Sequence, residues 1–338
     1  MTRQFETGNA PHLVPQNTVA AVMRQVLYAL APGVAVHAWF FGPGILLQIA
    51  LASLFALGLE ALMLMARRKP LKPFLGDCSA VLTAVLFALC IPPLAPWWIA
   101  LVAMVFSIVV AKHLYGGLGD NLFNPAMVGY VVVLVSFPQI LSAWPQAATG
   151  TLDTLAAVFL GHAPGTDGWD AVTGATVLDT VRNGLAAGQE MEQIRLSPAF
   201  GRFAGQGWEW IALAYAAGGA WLLWRRVIGW QVPAGLLAAV AVFSAAGWLL
   251  DPAQNPSPLF DLLSGAVILG AFFIATDPVS GCTSDRGRLL FGAGVGILTL
   301  VIRRWGGYPD GIAFAVLLMN LSAPLIDRFT RPRIFGHD

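Results

Sequence analysis

The stretch Asp170-Ala171-Val172-Thr173-Gly174-Ala175-Thr176 is where this sequence most plainly offers chemistry. An acidic residue is followed by a hydroxyl, two small residues and a second hydroxyl. Gly174 and Ala175 leave the backbone open to a bulky group, and Thr176 presents an oxygen that can be esterified. A phosphoester on threonine needs room, an exposed loop and an enzyme able to reach it, and this stretch supplies the first two. The same residues also suit a small-residue turn leading into a helix, with Thr173 as N-cap. A second set of polar residues, Glu60, Asp77, Lys112, His113, Asn121, Asn124, Asp261 and Asp277, lies at or near the ends of apolar segments. Ionisable groups are costly in lipid and often mark an ion or cofactor path. Residues at such ends also snorkel or cap helices. Asp277 before Pro278 suits a turn, and Asn124 before Pro125 suits a helix start. Cys78, Cys90 and Cys282 show no metal-ligand spacing. The histidines His12, His37, His113, His162 and His337 are scattered, so iron–sulfur and haem ligation are not legible.

The elements that must hold these residues follow from composition. The chain has 338 residues, 57% of them hydrophobic and 11% charged, with a formal net charge of +1. Soluble domains carry about 25% charged residues, so this chain cannot coat a soluble globule, and its mean hydropathy is +0.70. The same figures exclude disorder and a nucleic-acid footprint. An all-α integral membrane protein is expected. A crossing needs about 20 mostly apolar residues, and ten candidates run roughly over 22–41, 44–66, 75–92, 95–112, 124–143, 208–225, 230–250, 258–275, 288–302 and 308–326. The polar start, Met1–Gln16, is not a cleavable signal peptide. With the N-terminus inside, fourteen of the nineteen basic residues fall on inner segments. Arg182, Arg195, Arg202, Arg303 and Arg304 fall on outer ones, the last two being the real exception to the positive-inside rule. Trp97, Trp98, Trp144 and Trp208 read as membrane-interface anchors.

The polar stretch from Ser142 to Gly207 is too long for a turn, lies outside by this topology and divides the chain into halves of five spans. Two similar halves of five would sit inverted in the membrane, with functional sites where interrupted helices meet. Weak self-similarity supports this: Leu75-Gly-Asp77 pairs with Leu259-Phe-Asp261, and Tyr115-Gly-Gly-Leu-Gly-Asp120 with Trp305-Gly-Gly-Tyr-Pro-Asp310. The expected order is an inner segment 1–21, a first repeat 22–143, an outer loop 144–207, a second repeat 208–326 and an inner tail 327–338. Interruptions are legible at Ile91-Pro-Pro-Leu-Ala-Pro96 and Thr276-Asp-Pro278.

The Asp170–Thr176 stretch resembles the Asp-x-x-(Ser/Thr)-Gly-Ala-(Ser/Thr) signal at which a flavin transferase joins the phosphate of FMN to the last hydroxyl. Longer stretches resemble the D-subunit family of the Rnf electron-transport complexes: Ala88-Leu-Cys-Ile-Pro-Pro-Leu-Ala-Pro-Trp-Trp98, Ala111–Tyr130 with its Asn121-Leu-Phe-Asn-Pro-Ala126, Ser136-Phe-Pro138 and Ala275-Thr-Asp-Pro-Val-Ser280. The resemblance runs from Ala10-Pro-His12 to Pro324. It implies a bacterial inner-membrane flavoprotein subunit, not catalytic alone, in a complex coupling ferredoxin:NAD electron transfer to Na+ or H+ movement. By the same resemblance, Thr176 carries covalent FMN, and Asp170, Thr173, Gly174 and Ala175 form the recognition stretch. A noncovalent riboflavin is a further implication that no local motif locates; Asp77, Lys112, Asn124, Asp261 and Asp277 are the candidates for a second flavin or an ion path. The other Rnf subunits, a flavin transferase and the bilayer are the implied partners, with the loop periplasmic and both termini cytoplasmic. The homologous B-type component of the sodium-translocating NADH:quinone reductase, longer at its N-terminus, is the alternative. A flavin-free solute transporter is a third reading that has no use for the outer loop.

Overall fold

The computed structural model describes residues 18–164, 168–308 and 310–330. Expectations placed on the first 17 residues and on 331–338, including Arg3, His12, Arg331, Arg333 and His337, lie outside the described residues. The chain is mostly helical. Helices α1 (Val19–Phe41) and α2 (Gly44–Ala66) are followed by a short α3 (Leu71–Leu75), α4 (Ser79–Ala88) and α5 (Trp97–Met104), which runs on as a π-helix over Val105–His113. Then come α6 (Pro125–Ser136) and α7 (Pro138–Ser142). Between the halves lie β1 (Trp144–Pro145), α8 (Thr151–Leu155), α9 (Trp169–Val172), β2 (Thr173–Gly174), α10 (Val177–Ala186) and α11 (Met191–Ile194). The second half opens with α12 (Trp208–Trp224), α13 (Gln231–Leu250), α14 (Pro258–Leu263) and α15 (Val267–Leu269), the last continuing as a π-turn over Gly270–Ile274. It ends with α16 (Asp285–Trp305) and α17 (Ile312–Thr330).

All ten apolar stretches are helical, because a lipid-facing backbone must satisfy its own hydrogen bonds. Among the described residues, five helices are long and apolar enough to cross a membrane: Val19–Phe41, Gly44–Ala66, Leu71–Ala88, Gln231–Leu250 and Ile312–Thr330. The others are shorter, broken or charged at their ends. The fifth stretch does not run through to residue 143: α6 stops at Ser136, because Pro138 starts a new turn. The eighth breaks after Leu263, where Gly265 takes φ +62°. The ninth is longer than its apolar centre, reaching from Asp285 to Trp305.

Buried polar side chains close these breaks. The amide of Gln48, on α2, donates to the carbonyls of Pro93 (3.3 Å) and Ala95 (2.6 Å) beyond the end of α4. Arg303, on α16, donates to the carbonyls of Asp261 (2.9 Å) and Ser264 (2.8 Å) at the end of α14. Asp310 accepts from the Ala266 amide at 2.7 Å and pairs with Arg303 at 3.1 Å. Arg304 lies 3.6 Å from Asp261, which also accepts from the Ser244 hydroxyl. The exception to the positive-inside count thereby has a physical reason: these two arginines face buried carboxylates and do not tell which side a loop is on.

Small residues bring helices close. Gly235 of α13 and Gly292 of α16 each lie against the other helix's backbone, so a side chain on either would strike it. The polar segment is itself folded. β1 pairs with β2 antiparallel, and Val177, Leu178, Val181, Met191 and Ile194 pack on Phe260 of α14. Phe200 stacks on the same ring at 5.7 Å.

Replacing Arg303 with Met leaves Asp310 and two carbonyls without their cation and leaves Asp261 with Arg304 alone. The expected loss is about 3–5 kcal/mol, seen as a lowered unfolding midpoint of the detergent-purified chain. Arg304→Met, whose partner keeps Arg303 and Ser244, lowers it less.

Candidate functional site

The flavinylation-like stretch runs from α9 through β2 into the start of α10. Thr173 belongs to β2, and its hydroxyl donates to the Trp169 carbonyl at 2.9 Å. The helix cap is therefore not Thr173 but Thr176. Its Oγ1 accepts from the Asp179 amide at 3.2 Å and donates to Asp179 Oδ2 at 2.6 Å, while the Thr176 amide points back to the same carboxylate at 3.4 Å. This reciprocal pair is a capping box. At Gly174 a side chain would meet the exposed, flexible side chain of Gln146, which would have to move aside. The amide of Gln146 reaches the exposed Ala175 carbonyl at 3.4 Å. The Asp170 side chain lies outside the described residues.

Thr176, half-buried, opens onto a cavity of about 350 Å3 between the two halves. Cofactor pockets fall at ~300–1,000 Å3 with mostly apolar and aromatic walls and a few fixed polar groups. The walls include His37 of α1, Tyr130 of α6, Trp208 and Tyr215 of α12 and Tyr308 before α17, with Asp179 and Arg182 of α10 beside Thr176. Trp144 and Trp208, expected at the membrane interface, both line this cavity, with ring centroids 5.0 Å apart. Trp98 packs edge-on against Phe137.

A second cavity, of about 360 Å3, is lined by Lys112, Asn124 and Asp277 together with Ser79 and Asn121. Three of the five candidates for a second site therefore meet there. Lys112 is 2% exposed. Its ammonium donates to both Glu60 oxygens, at 2.8 and 2.7 Å, and to the Ser79 hydroxyl at 2.8 Å. His113 Nε2 approaches Glu60 at 3.4 Å. A lysine at an inner edge suits snorkelling as readily; burial and pairing make this one part of the bundle interior.

Asn124 caps α6 by accepting from the Ala126 and Met127 amides at 3.0 and 3.3 Å. It also donates to the Ile274 carbonyl at 3.1 Å, across the two halves. Asp277 holds the turn after the π-turn, accepting from Val279 N at 3.3 Å and from the Ser280 hydroxyl at 2.7 Å. The other two candidates line neither cavity. Asp77 accepts from the Ser79 amide at 2.7 Å and starts α4, while Asp261 belongs to the arginine cluster. Asp179, Arg182, His37 and Tyr215 line the same cavity as Thr176 and are not singled out by the sequence motif. Thr176-x-x-Asp179 is a capping pattern and is readable as one; the others carry no local signal.

A family model described as the NQR2, RnfD, RnfE family matches residues 6–336. The chain belongs to that family. A protein of Citrobacter koseri, named as the D subunit of an ion-translocating oxidoreductase complex, is 48% identical over 98% of this chain and 99% of its own length. Proteins of the same name from Escherichia fergusonii and Salmonella typhimurium are each 49% identical over the same shares. The multi-pass helical bundle is what membership of the NQR2, RnfD, RnfE family and five apolar crossing helices together require.

Asp179→Ala removes one arm of the capping box and is expected to cost the start of α10 about 1 kcal/mol. Hydrogen exchange of the amides of residues 177–181 should rise accordingly, while Asp179→Asn, which keeps an acceptor, changes it little.

Proposed function

We propose that this chain is the membrane flavoprotein subunit of an Rnf-type ion-translocating oxidoreductase complex, with FMN esterified to Thr176. The observation that supports this most directly is the Thr176 hydroxyl, held 2.6 Å from a carboxylate at the rim of an aromatic-walled cavity. The residues fit the group. Bound FMN supplies a carrier for one or two electrons. The chain supplies the ester oxygen. Esterification by the transferase would exchange a leaving group on the flavin phosphate for the Thr176 oxygen, and the proton that this hydroxyl gives up would have an acceptor in Asp179. Thr176 is the N-cap of α10, and a helix N-terminus favours an anion there. Arg182, lining the same cavity, adds a cation. The β1–β2 pair and the packing on Phe260 hold this loop against the bundle beside the cavity.

The second cavity is proposed to hold a noncovalent riboflavin. Asn124 and Asp277 offer an amide and an acceptor there, while the Lys112 ammonium, its donors taken by Glu60 and Ser79, keeps that wall neutral as part of the buried Glu60–Lys112 pair. An arrangement of ten spans as two inverted repeats, 22–143 and 208–326, accounts for a further correspondence. A basic residue near the end of the fourth helical unit of each half, Lys112 or Arg303, closes on the third unit. With the loop 144–207 periplasmic and both termini cytoplasmic in a bacterial inner membrane, a flavin transferase reaches Thr176. The remaining subunits would pass electrons between ferredoxin and NAD and couple them to Na+ or H+ movement. A role as the B-type component of a sodium-translocating NADH:quinone reductase is the second reading, because the family model covers both. Near full-length identity to proteins named for the D position of an ion-translocating complex favours the first.

In a denaturing gel the parent chain, made with its flavin transferase, should show ultraviolet-excited flavin fluorescence. Thr176→Val should abolish it and Thr176→Ser retain it. Mass spectrometry of the peptide around Thr176 should find FMN less water. A fluorescent Thr176→Val band defeats the assignment.

A further inference from the structure

The Thr176 cavity contains two enclosed polar atoms without a partner. His37 Nε2 and Tyr215 Oη form no hydrogen bond among the described residues, although His37 is only 1% and Tyr215 only 4% exposed. An unpaired buried donor or acceptor carries the full cost of its lost hydration, so folded proteins rarely leave one without a role. Both residues line the cavity that Thr176 opens onto.

Their placement is enforced by packing. The Tyr215 ring lies against Gly33 of α1, where any Cβ would run into it. Gly33 is one helical turn before His37, so the seam between α1 and α12 sets the two side chains on neighbouring levels of one wall. The His37 ring is held edge-on by Phe41 and Trp208, with centroids at 5.3 and 5.6 Å, and the Tyr215 ring by Phe273 at 6.1 Å. Leu134, Ile268 and Leu269 make other parts of the cavity apolar. The cavity is thus an apolar, aromatic chamber with paired hydrogen-bonding capacity on one wall.

We propose that His37 and Tyr215 are the ring-positioning pair of this cavity, hydrogen-bonding the polar pyrimidine edge of the flavin tethered at Thr176. This rests on the assignment of Thr176 as the attachment site. The chemistry matches on both sides. That edge of an isoalloxazine carries carbonyl acceptors and an imide N–H donor. A phenol both donates and accepts, and a neutral imidazole nitrogen does either according to its tautomer. The remaining, benzenoid part of the ring needs only apolar walls. A lipid acyl chain filling the same space would leave both atoms unpaired. The pair acts through the flavin's environment and has no part in forming the ester.

The test uses the full-length chain, produced with its flavin transferase and purified in detergent. Tyr215→Phe removes one oxygen, His37→Leu removes the imidazole, and His37→Gln restores a hydrogen-bonding head. All three should keep the parent's fluorescent band in a denaturing gel, because Thr176 is untouched. In the native protein, Tyr215→Phe and His37→Leu should shift the visible absorption maxima of the flavin. They should also raise quenching of its fluorescence by iodide about fivefold, the effect of losing one hydrogen bond. His37→Gln should return both readings toward the parent. In a Thr176→Val background, which carries no tethered flavin, Tyr215→Phe should raise the unfolding temperature by removing an unpaired hydroxyl, and in the flavin-bearing chain it should lower it. Unchanged absorption and quenching in Tyr215→Phe and His37→Leu, with the band intact, would put the ring elsewhere and overturn the proposal while leaving Thr176 standing. A parent chain with no band removes both.

Discussion

The structure depends on one constraint: inside a bilayer a backbone amide or carbonyl has no water to turn to. Most of this chain meets it by being helical. The informative places are those where it is not. Gln48 takes the carbonyls freed beyond α4, and Arg303 takes those freed at the end of α14. Asn124 takes the carbonyl of Ile274. Each of these side chains comes from a different helix than the break it serves, so the breaks hold the bundle together as well as interrupting it. Where a side chain brings charge, the charge is matched: Arg303 by Asp261 and Asp310, Lys112 by Glu60.

Broken helices open space that unbroken ones would close. The two cavities lie beside such places, one walled partly by the residues after Ser264, the other by the turn at Asp277. The first is lined on one side by the folded polar segment, whose α10 begins just after Thr176. A helix start is a favourable seat for a phosphate, because amides of its first turn lack intrahelical partners, although here the Asp179 amide is taken by the Thr176 hydroxyl. The fold thus sets an esterifiable oxygen, an anion-favouring helix end and an apolar chamber side by side, although they come from distant parts of the chain.

The legible part of the fold was its helices. Runs such as Gly44–Ala66 can be little else, and all ten apolar stretches are helical. What could not be read were stops inside apolar runs. Ser136–Pro138 carries a visible proline, yet the break at Ser264–Gly265 depends on Arg303, nearly forty residues away. The candidate site shows the same division. The Thr176 stretch is readable because its spacing is local. The cap falls on Thr176 and not on Thr173, because the choice between two threonines is settled by β1, which pulls Thr173 into a strand. Trp144 and Trp208 resemble interface anchors because tryptophan commonly is one; only the packing of the loop against α12 turns them inward.

The sequence by itself determined that the chain lies in a membrane and where its helical stretches fall. It also marked the seven-residue stretch that offers an attachable oxygen, since composition and local spacing carry those facts. Tertiary structure alone decided that Lys112, Asn124 and Asp277 share one cavity while Asp77 and Asp261 do not. It also decided that Asp179 holds the Thr176 hydroxyl above a chamber walled from both halves. The physical reason is that buried charges and freed backbone groups take whichever partner the packing brings within about 3 Å, and that partner is seldom near in sequence.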